Sequence, residues 1–366
     1  MSAADSTTRR ATAASEDAAP GGARVAWVDY SKGICIFLVV MLHANLEVQD
    51  SRGATGWLQY VVEFARPFRM PDFFLIAGLF LSNALRRPWR VYLDRKVAHF
   101  AYFYVLWAAI QFVLFESRYQ QRLGGTAVDI GKDYLLTFIE PVGSLWFIHS
   151  LALYFVIVRL TRRVPPWLIL LLTGGLQCLG PRTGWTVPDE FAQRFVYFYS
   201  GYVFAPQIFR LADWSLGHAG RALGYLAVWG VVEQYCVAHG WSTLPGVGLA
   251  LGYVGAIAVV FAGGLLSRLS WTSWLRYLGE NSIVVYLGYY TAERIAVAFG
   301  ASRLPDIGSA ALVLTVCSVI GALLMREVAM RLGLTFLYVR PRWARLPPDL
   351  PVRRTAVAPL VDAAGG

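Results

Sequence analysis

Apolar segments of about 20 residues recur along the whole chain and constrain its fold more than any other feature. Each can cross a hydrocarbon core about 30 Å thick as a helix. Hydrophobic residues make up 57% of the 366 residues and charged residues only 15%, which is typical of a polytopic membrane protein. We predict an all-α polytopic fold with ten transmembrane helices, at 28–48, 68–86, 97–116, 143–160, 165–181, 192–210, 221–239, 247–267, 280–300 and 308–330.

The basic residues predict how these spans are oriented. Arginine and lysine are concentrated in every second connection and in both tails, as the positive-inside rule requires of cytoplasmic segments. We therefore expect cytoplasmic N- and C-termini and a multi-pass protein of the cell inner (cytoplasmic) membrane, with the lipid bilayer as its first partner. The net charge of +10 does not indicate a nucleic-acid partner, because the basic residues form no patch with interleaved aromatics.

The spans divide the chain into three predicted parts. Residues 1–26 are rich in small and polar residues, and we expect a disordered cytoplasmic tail that lacks the apolar core of a signal peptide. Residues 27–332 would form the ten-helix membrane domain, and residues 333–366 a basic cytoplasmic tail. The polar external connection 118–142 is a candidate to bind or cover a substrate. The four cysteines are scattered, so neither a disulfide framework nor a metal site is predicted.

Ionisable residues inside the first span indicate a functional site. Lys32 and His43 are eleven residues apart, and eleven steps of 100° return to within about 20° of the same direction on a helix. Glu47 follows His43 by one turn. Such groups are costly inside a membrane and usually face a protein interior or a watery cavity. Each residue also has a structural alternative. Lys32 would extend to the lipid headgroups, Glu47 would lie in the loop after the helix, and His43 would hold two helices together.

His43 is the best candidate for a catalytic general acid or base, because an unperturbed imidazole titrates near working pH. We predict that Glu47 hydrogen-bonds the ring, as a carboxylate does in a triad. The rise of the helix places His43 towards the outer side of the membrane and Lys32 nearer the cytoplasm.

Three further groups of residues near span ends are candidates to bind substrates. They are Arg66, Arg69 and Asp72; Arg95, Lys96 and His99; and Trp146 with His149. The first group has two arginines and an acid, which is more charge than is needed to anchor the start of a span at the membrane interface. The second suits an anion site for a nucleotide-bearing donor, because arginine forks match phosphates, although topology alone would also explain its charges. Trp146 is also typical of an interfacial aromatic belt.

Five motifs, in order along the chain, resemble those of the membrane acyltransferase-3 family in its bare membrane-domain form. They are Asp29–Ile34 followed by aliphatic residues up to His43, Phe68–Gly78 (FRMPDFFLIAG), Leu145–Phe147 (LWF), Phe198–Tyr202 (FYSGY), and Leu278–Ser282 (LGENS) with Tyr286. The motifs extend over most of the chain, and ten spans is the usual core of the family.

The resemblance implies transfer of an acyl group, commonly acetyl from acetyl-CoA, to a hydroxyl of an exported or cell-envelope glycan. His43 would be the essential histidine and Lys32 its basic partner, and Asn281 and Tyr286 would help to bind substrate. An Arg-x-x-Arg motif at the start of the third helix corresponds here to Lys96–His99 with Arg95 adjacent, which implies binding of the acyl-CoA donor. Tyr289 stands where the family often has a further histidine.

Other functions stay open at this point. Succinyl transfer to a periplasmic glucan is an alternative within the enzyme class. A transporter of lipid-linked sugar would also need ionisable residues inside the membrane, but the sequence shows no internal repeat of the kind common in transporters. A non-catalytic partner or sensor subunit is the third alternative. In each case the acceptor or cargo would be a glycan or lipid-linked sugar.

Overall fold

The computed structural model describes residues 25–116, 126–141 and 143–346, and every regular element in these ranges is helical. Five of the described helices are long and apolar enough to span a membrane by length and composition. The predicted all-α polytopic fold is confirmed. The predictions for residues 1–24, for 117–125 and 142 in the external connection, and for 347–366 lie outside the described residues.

We number the helices in chain order. They are α1 (Ala26–Arg52), α2 (Leu58–Gly78), α3 (Leu81–Leu85), α4 (Trp89–Leu114), α5 (Ala127–Leu136), α6 (Gly143–Leu160), α7 (Pro166–Leu179), α8 (Thr186–Val203), α9 (Ala205–Gly217), α10 (Ala219–Ala238), α11 (Val247–Leu266), α12 (Ser273–Glu280), α13 (Ser282–Ala298) and α14 (Ile307–Arg331). The predicted spans 143–160, 165–181, 247–267 and 308–330 agree with α6, α7, α11 and α14 to within two residues at each end.

The second helix differs from its prediction. The span predicted at 68–86 starts after the polar run around Arg66, whereas α2 begins at Leu58 and continues through Pro67 and Pro71. Each proline removes one backbone hydrogen bond, which a helix tolerates where neighbouring helices surround it. Arg66 and Arg69 therefore lie within the helix instead of at its entrance.

The predicted span 192–210 also differs, because two helices share it. The chain turns between α8 and α9 at Phe204, and Pro206 lies in the first turn of α9. Proline suits this position because the missing N–H would have no partner inside the helix. The break separates a buried helix, α8, from the shorter α9.

Helix α1 lies at the centre of the bundle and packs against α2, α11, α12, α13 and α14. It crosses α12 so closely that two glycines face each other's backbones. A Cβ atom on Gly279 would overlap the carbonyl oxygen of Asp29, and one on Gly33 would overlap that of Leu275. Small residues at such crossings let helices approach within backbone contact. This contact fixes the start of α1 against the end of α12.

The segment after α14 folds back onto α4. Arg340, which is 8% exposed, places its Nη2 2.7 Å from Oδ2 of Asp94 and donates from Nη1 to the Asp94 carbonyl. Trp107 Nε1 donates to the carbonyl of Leu337. The described part of the predicted basic tail is thus docked against the membrane domain through a buried ion pair.

Candidate active site

A cavity of about 590 Å³ opens between the first turns of α1 and the surrounding helices. Helices α2, α4, α6, α12 and α13 complete its wall. The walls are mostly apolar, with Phe73, Ile76, Phe147 and Leu151 among them. By the orientation predicted from the charges, this end of the bundle faces the cytoplasm. Its volume is in the range of pockets that bury small-molecule ligands, about 300–1,000 Å³.

The charged groups of this inner cavity come from three different helices. Lys32 of α1 and Lys96 of α4 both line it, together with Asp29 and Glu280. The Lys32 ammonium lies 4.0 Å from a carboxylate oxygen of Asp29, and that of Lys96 lies 5.1 Å from the centre of the Phe155 ring. The fold therefore joins Lys32 and Lys96, which sequence reasoning assigned to separate roles. Asp29 and Glu280 were not predicted as site residues.

Two tyrosines of α13 lie between the inner cavity and His43. Tyr286 lines the cavity, and its hydroxyl donates to the backbone carbonyl of Ser144. Tyr289 follows one turn further along α13 and is fully buried, and its ring centre lies 5.3 Å from that of His43. Three residues of helix rise about 4.5 Å, so one turn of α13 separates the last lining residue of that helix from the tyrosine that contacts His43.

His43 is half-buried and faces polar neighbours inside the bundle. Besides Tyr289, it interacts electrostatically with Arg69, which is only 6% exposed. Asp72, one turn beyond Arg69 on α2, is fully buried and accepts a hydrogen bond from the Cys35 thiol at 2.6 Å. The predicted group of Arg69 and Asp72 is thus close to the catalytic candidate, and Cys35 acts as a donor in addition to filling space.

Glu47 forms an ion pair with an arginine of α13 and not a hydrogen bond with the His43 imidazole. Its Oε1 lies 3.0 Å from Nη1 of Arg294, and the same guanidinium donates from Nη2 to the hydroxyl of Tyr290. The predicted hydrogen bond from Glu47 to His43 is therefore replaced by an ion pair between α1 and α13. Only the tertiary packing of α13 reveals this partner, because Arg294 is far away in sequence.

The remaining predicted site residues lie around this centre rather than in it. His149 places Nε2 3.1 Å from the carbonyl oxygen of Phe138, and its ring packs on Tyr104. Trp146 is half-buried and its ring centre lies 6.1 Å from that of Phe74.

The last three predicted residues lie near the opening of the inner cavity. Asn281 lies in the sequence between Glu280 and Ser282, which both line the cavity. Its side chain donates a hydrogen bond to the Tyr277 carbonyl. Arg95 is exposed next to Lys96, and the His99 ring packs edge-on against neighbouring phenylalanines.

The bundle thus combines a mostly apolar cavity lined by two amines with an imidazole that contacts a tyrosine one turn from that cavity along α13. Comparison with known proteins specifies the class. The family model described as "Acyltransferase domain", that of the acyltransferase-3 family, matches residues 25–326. The chain therefore belongs to the acyltransferase-3 family.

Among curated proteins, the chain is similar to the "Inner membrane protein YcfT" of Escherichia coli (strain K12). The two are 23% identical over 158 residues, a match that covers 38% of this chain and 44% of that protein. The chain thus matches less than half the length of this relative. No solved structure matches the chain.

The Glu47–Arg294 pair gives a test of how Glu47 contributes. If the carboxylate only ties α1 to α13, Glu47→Gln should cost about 0.5–1 kcal/mol of stability and change the acyl-transfer rate by no more than a few-fold. The double variant with Arg294→Gln should lose no more than Arg294→Gln alone, which also gives up the hydrogen bond to Tyr290, because the Glu47–Arg294 contact can be broken only once. Rates and thermal unfolding of the three variants measure this. A drop approaching the roughly 10⁴-fold seen for a triad carboxylate would contradict it.

Proposed function

We propose that this protein is an O-acyltransferase of the inner membrane that moves an acyl group, acetyl in the first instance, from acyl-CoA to a hydroxyl of an exported or cell-envelope glycan. The observation that supports this most is the inner cavity, which is lined by both Lys32 and Lys96 and extends along α13 to Tyr286, one turn before the Tyr289 that contacts His43. Acyl-CoA has an anionic nucleotide, a long pantetheine arm and a reactive thioester. These parts match the lysines, the apolar wall and the end of the inner cavity nearest His43.

In this proposal the donor enters from the cytoplasmic side. The phosphates of the nucleotide would lie near Lys32 and Lys96, with the exposed Arg95 beside them, because ammonium and guanidinium groups bind phosphate oxygens. The pantetheine arm would follow the apolar wall inwards. The thioester would then reach the level of Tyr286, where the cavity ends.

The chemistry would take place where Tyr289 separates the cavity from His43. His43 would remove the proton from the acceptor hydroxyl while that oxygen attacks the thioester carbonyl carbon. A new C–O bond forms, the C–S bond breaks, and the proton goes to the departing thiolate, so the products are an ester and free CoA. Arg69 lies close enough to His43 to interact with it electrostatically and would stabilise the negative oxygen that develops on the thioester carbonyl.

The donor site can be tested through Lys96, which lines the inner cavity outside the reacting centre. Lys96→Met should raise the KM for acetyl-CoA about tenfold and change kcat less than about threefold, because the lost contact is made equally in the ground and transition states. Initial rates with radiolabelled acetyl-CoA and purified protein in liposomes measure both constants, and succinyl-CoA in parallel tests the alternative donor.

Lys132→Met is the matched control for Lys96→Met. Lys132 is exposed on α5 and does not line the inner cavity, so its loss changes the net charge equally without touching the proposed site. An equal effect of both substitutions, or an unchanged KM with Lys96→Met, would count against donor binding in this cavity.

A further inference from the structure

A second cavity lies against the middle of α2. It has a volume of about 410 Å³ and is bounded by the middle of α2, the end of α7, the middle of α8 and the turn between α10 and α11. By the predicted orientation it faces the outer side of the membrane. Arg66 of α2 reaches across it, with Nη2 3.3 Å from Oγ of Ser242. We call this the outer pocket.

The outer pocket is strongly basic. Arg66, Arg182 and Arg194 line it, and none of its described lining residues is a carboxylate. Two acids lie next to it: Glu190 holds Nε of Arg194 at 2.9 Å, and Asp189 interacts with Arg182. Three guanidinium groups around one polar cavity are typical of a site that binds an oxyanion, because each can present a fork of donors to phosphate or carboxylate oxygens.

Arg69 extends this positive charge into the protein interior. It interacts electrostatically with both Arg66 and Arg194. Within the described residues, its Nε and Nη1 are buried and have no hydrogen-bond partner. A buried guanidinium with unmet donors and cationic neighbours is costly unless an anion satisfies it. In the part of the chain that the structure describes, Asp72 one turn along α2 accepts a hydrogen bond from Cys35 and makes no ion pair with Arg69, so the two Arg69 donors are available to an anionic ligand.

The same Arg69 connects the outer pocket to the catalytic centre. Its other electrostatic neighbours include His43 and Tyr289. Along α2, Pro71 lines the outer pocket and Phe73 lines the inner cavity, only two residues apart. The two cavities thus lie on opposite faces of the helix that carries Arg69, which would separate a route for the donor from a route for the acceptor.

Resting on the proposed function, we infer that the outer pocket binds the acceptor and that this acceptor carries an oxyanion, a phosphate or a carboxylate. Arg66 and Arg194 hold the oxyanion, and Arg69 completes its coordination from the buried side. This contact positions a neighbouring hydroxyl of the same molecule towards His43. The protein therefore acts on an acidic or phosphate-linked glycan rather than on a neutral one.

Direct binding tests this without depending on transfer. The full-length protein in nanodiscs of phosphatidylcholine, which offers no net anionic headgroup, is titrated with glucose 1-phosphate, glucuronate and neutral glucose. We expect at least one of the two anions to bind and glucose not to bind. Arg66→Gln and Arg194→Gln should each raise the Kd of the bound anion about tenfold, the effect of losing one charge-assisted contact. The stronger of the two anions identifies the group as phosphate or carboxylate.

Two further variants separate the possible results. Arg331→Gln removes an exposed arginine at the end of α14, outside the outer pocket, and should leave the Kd unchanged. His43→Ala should keep anion binding even where transfer is lost, so the binding site and the proposed reaction can fail independently. Equal binding of glucose, no binding of either anion, or the same Kd shift with Arg331→Gln would overturn the inference. Because Arg66 is exposed, its variant is expected to fold even if Arg194→Gln does not.

Discussion

His43→Ala should lower the rate of acyl transfer by about 10²–10⁴-fold while the protein stays folded, because it removes the proposed acid–base group and leaves a small space beside Tyr289. His43 is half-buried, so the truncation exposes no large core surface. The proposed donor site is the inner cavity, which His43 does not line, so it should be intact. We therefore expect the Kd for acetyl-CoA to stay within about threefold of its original value while kcat falls, which marks an interaction used in the transition state.

The matched control for His43→Ala is His218→Ala. His218 is exposed at the junction of α9 and α10, where its ring stacks on Trp214 at 5.1 Å between centres. It takes no part in either cavity, so its loss should leave kcat unchanged. His149→Ala is a second comparison, because the sequence also predicts His149 as a substrate-binding residue. A His43→Ala protein with full activity, or a His149→Ala protein with the larger loss, would refute the assignment of the catalytic base.

The sequence predicts the spans well where hydropathy decides them and less well where charge interrupts them. Helices α6, α11 and α14 are continuous apolar runs, and their bounds follow from composition. Helix α2 contains Arg66, Arg69, Asp72 and two prolines, so its first ten residues read as a polar connection. This helix packs against α8 and α11, and such tertiary contacts between distant segments are not encoded in local patterns.

The same distinction applies to the site. The alignment of Lys32 with His43 follows from helix geometry alone, since both belong to α1. The partners of these residues come from other helices. Lys96 lines the same cavity as Lys32, the Tyr289 ring contacts His43, and Arg294 forms an ion pair with Glu47. A single sequence gives no distance between helices. One feature of the sequence pointed to Tyr289. It occupies the position at which the acyltransferase-3 family often has a histidine.

The largest structural effect is expected at the crossing of α1 and α12. In Gly279→Leu the new Cβ would overlap the carbonyl oxygen of Asp29 and lie 2.9 Å from the amide nitrogen of Gly33. These are backbone atoms that cannot rotate away, so the cost should exceed the roughly 1–3 kcal/mol typical of an overpacked core. We expect most of the protein to be lost from the folded fraction, as measured by fluorescence-detected size exclusion in detergent.

Gly224→Leu provides the comparison that ties this loss to the crossing. Gly224 lies in α10, and no atom lies within 4 Å of a Cβ built there, so the same side chain meets open space and should be tolerated. Gly279→Ala, the smaller change, should fold in part. Because Asp29, Lys32 and Gly279 all line the inner cavity, the fraction that folds should bind acetyl-CoA more weakly than the original protein. Equal folding of Gly279→Leu and Gly224→Leu would show that α1 and α12 do not approach as closely as the structure has them. The part of the inner cavity that these two helices line would then have a different shape.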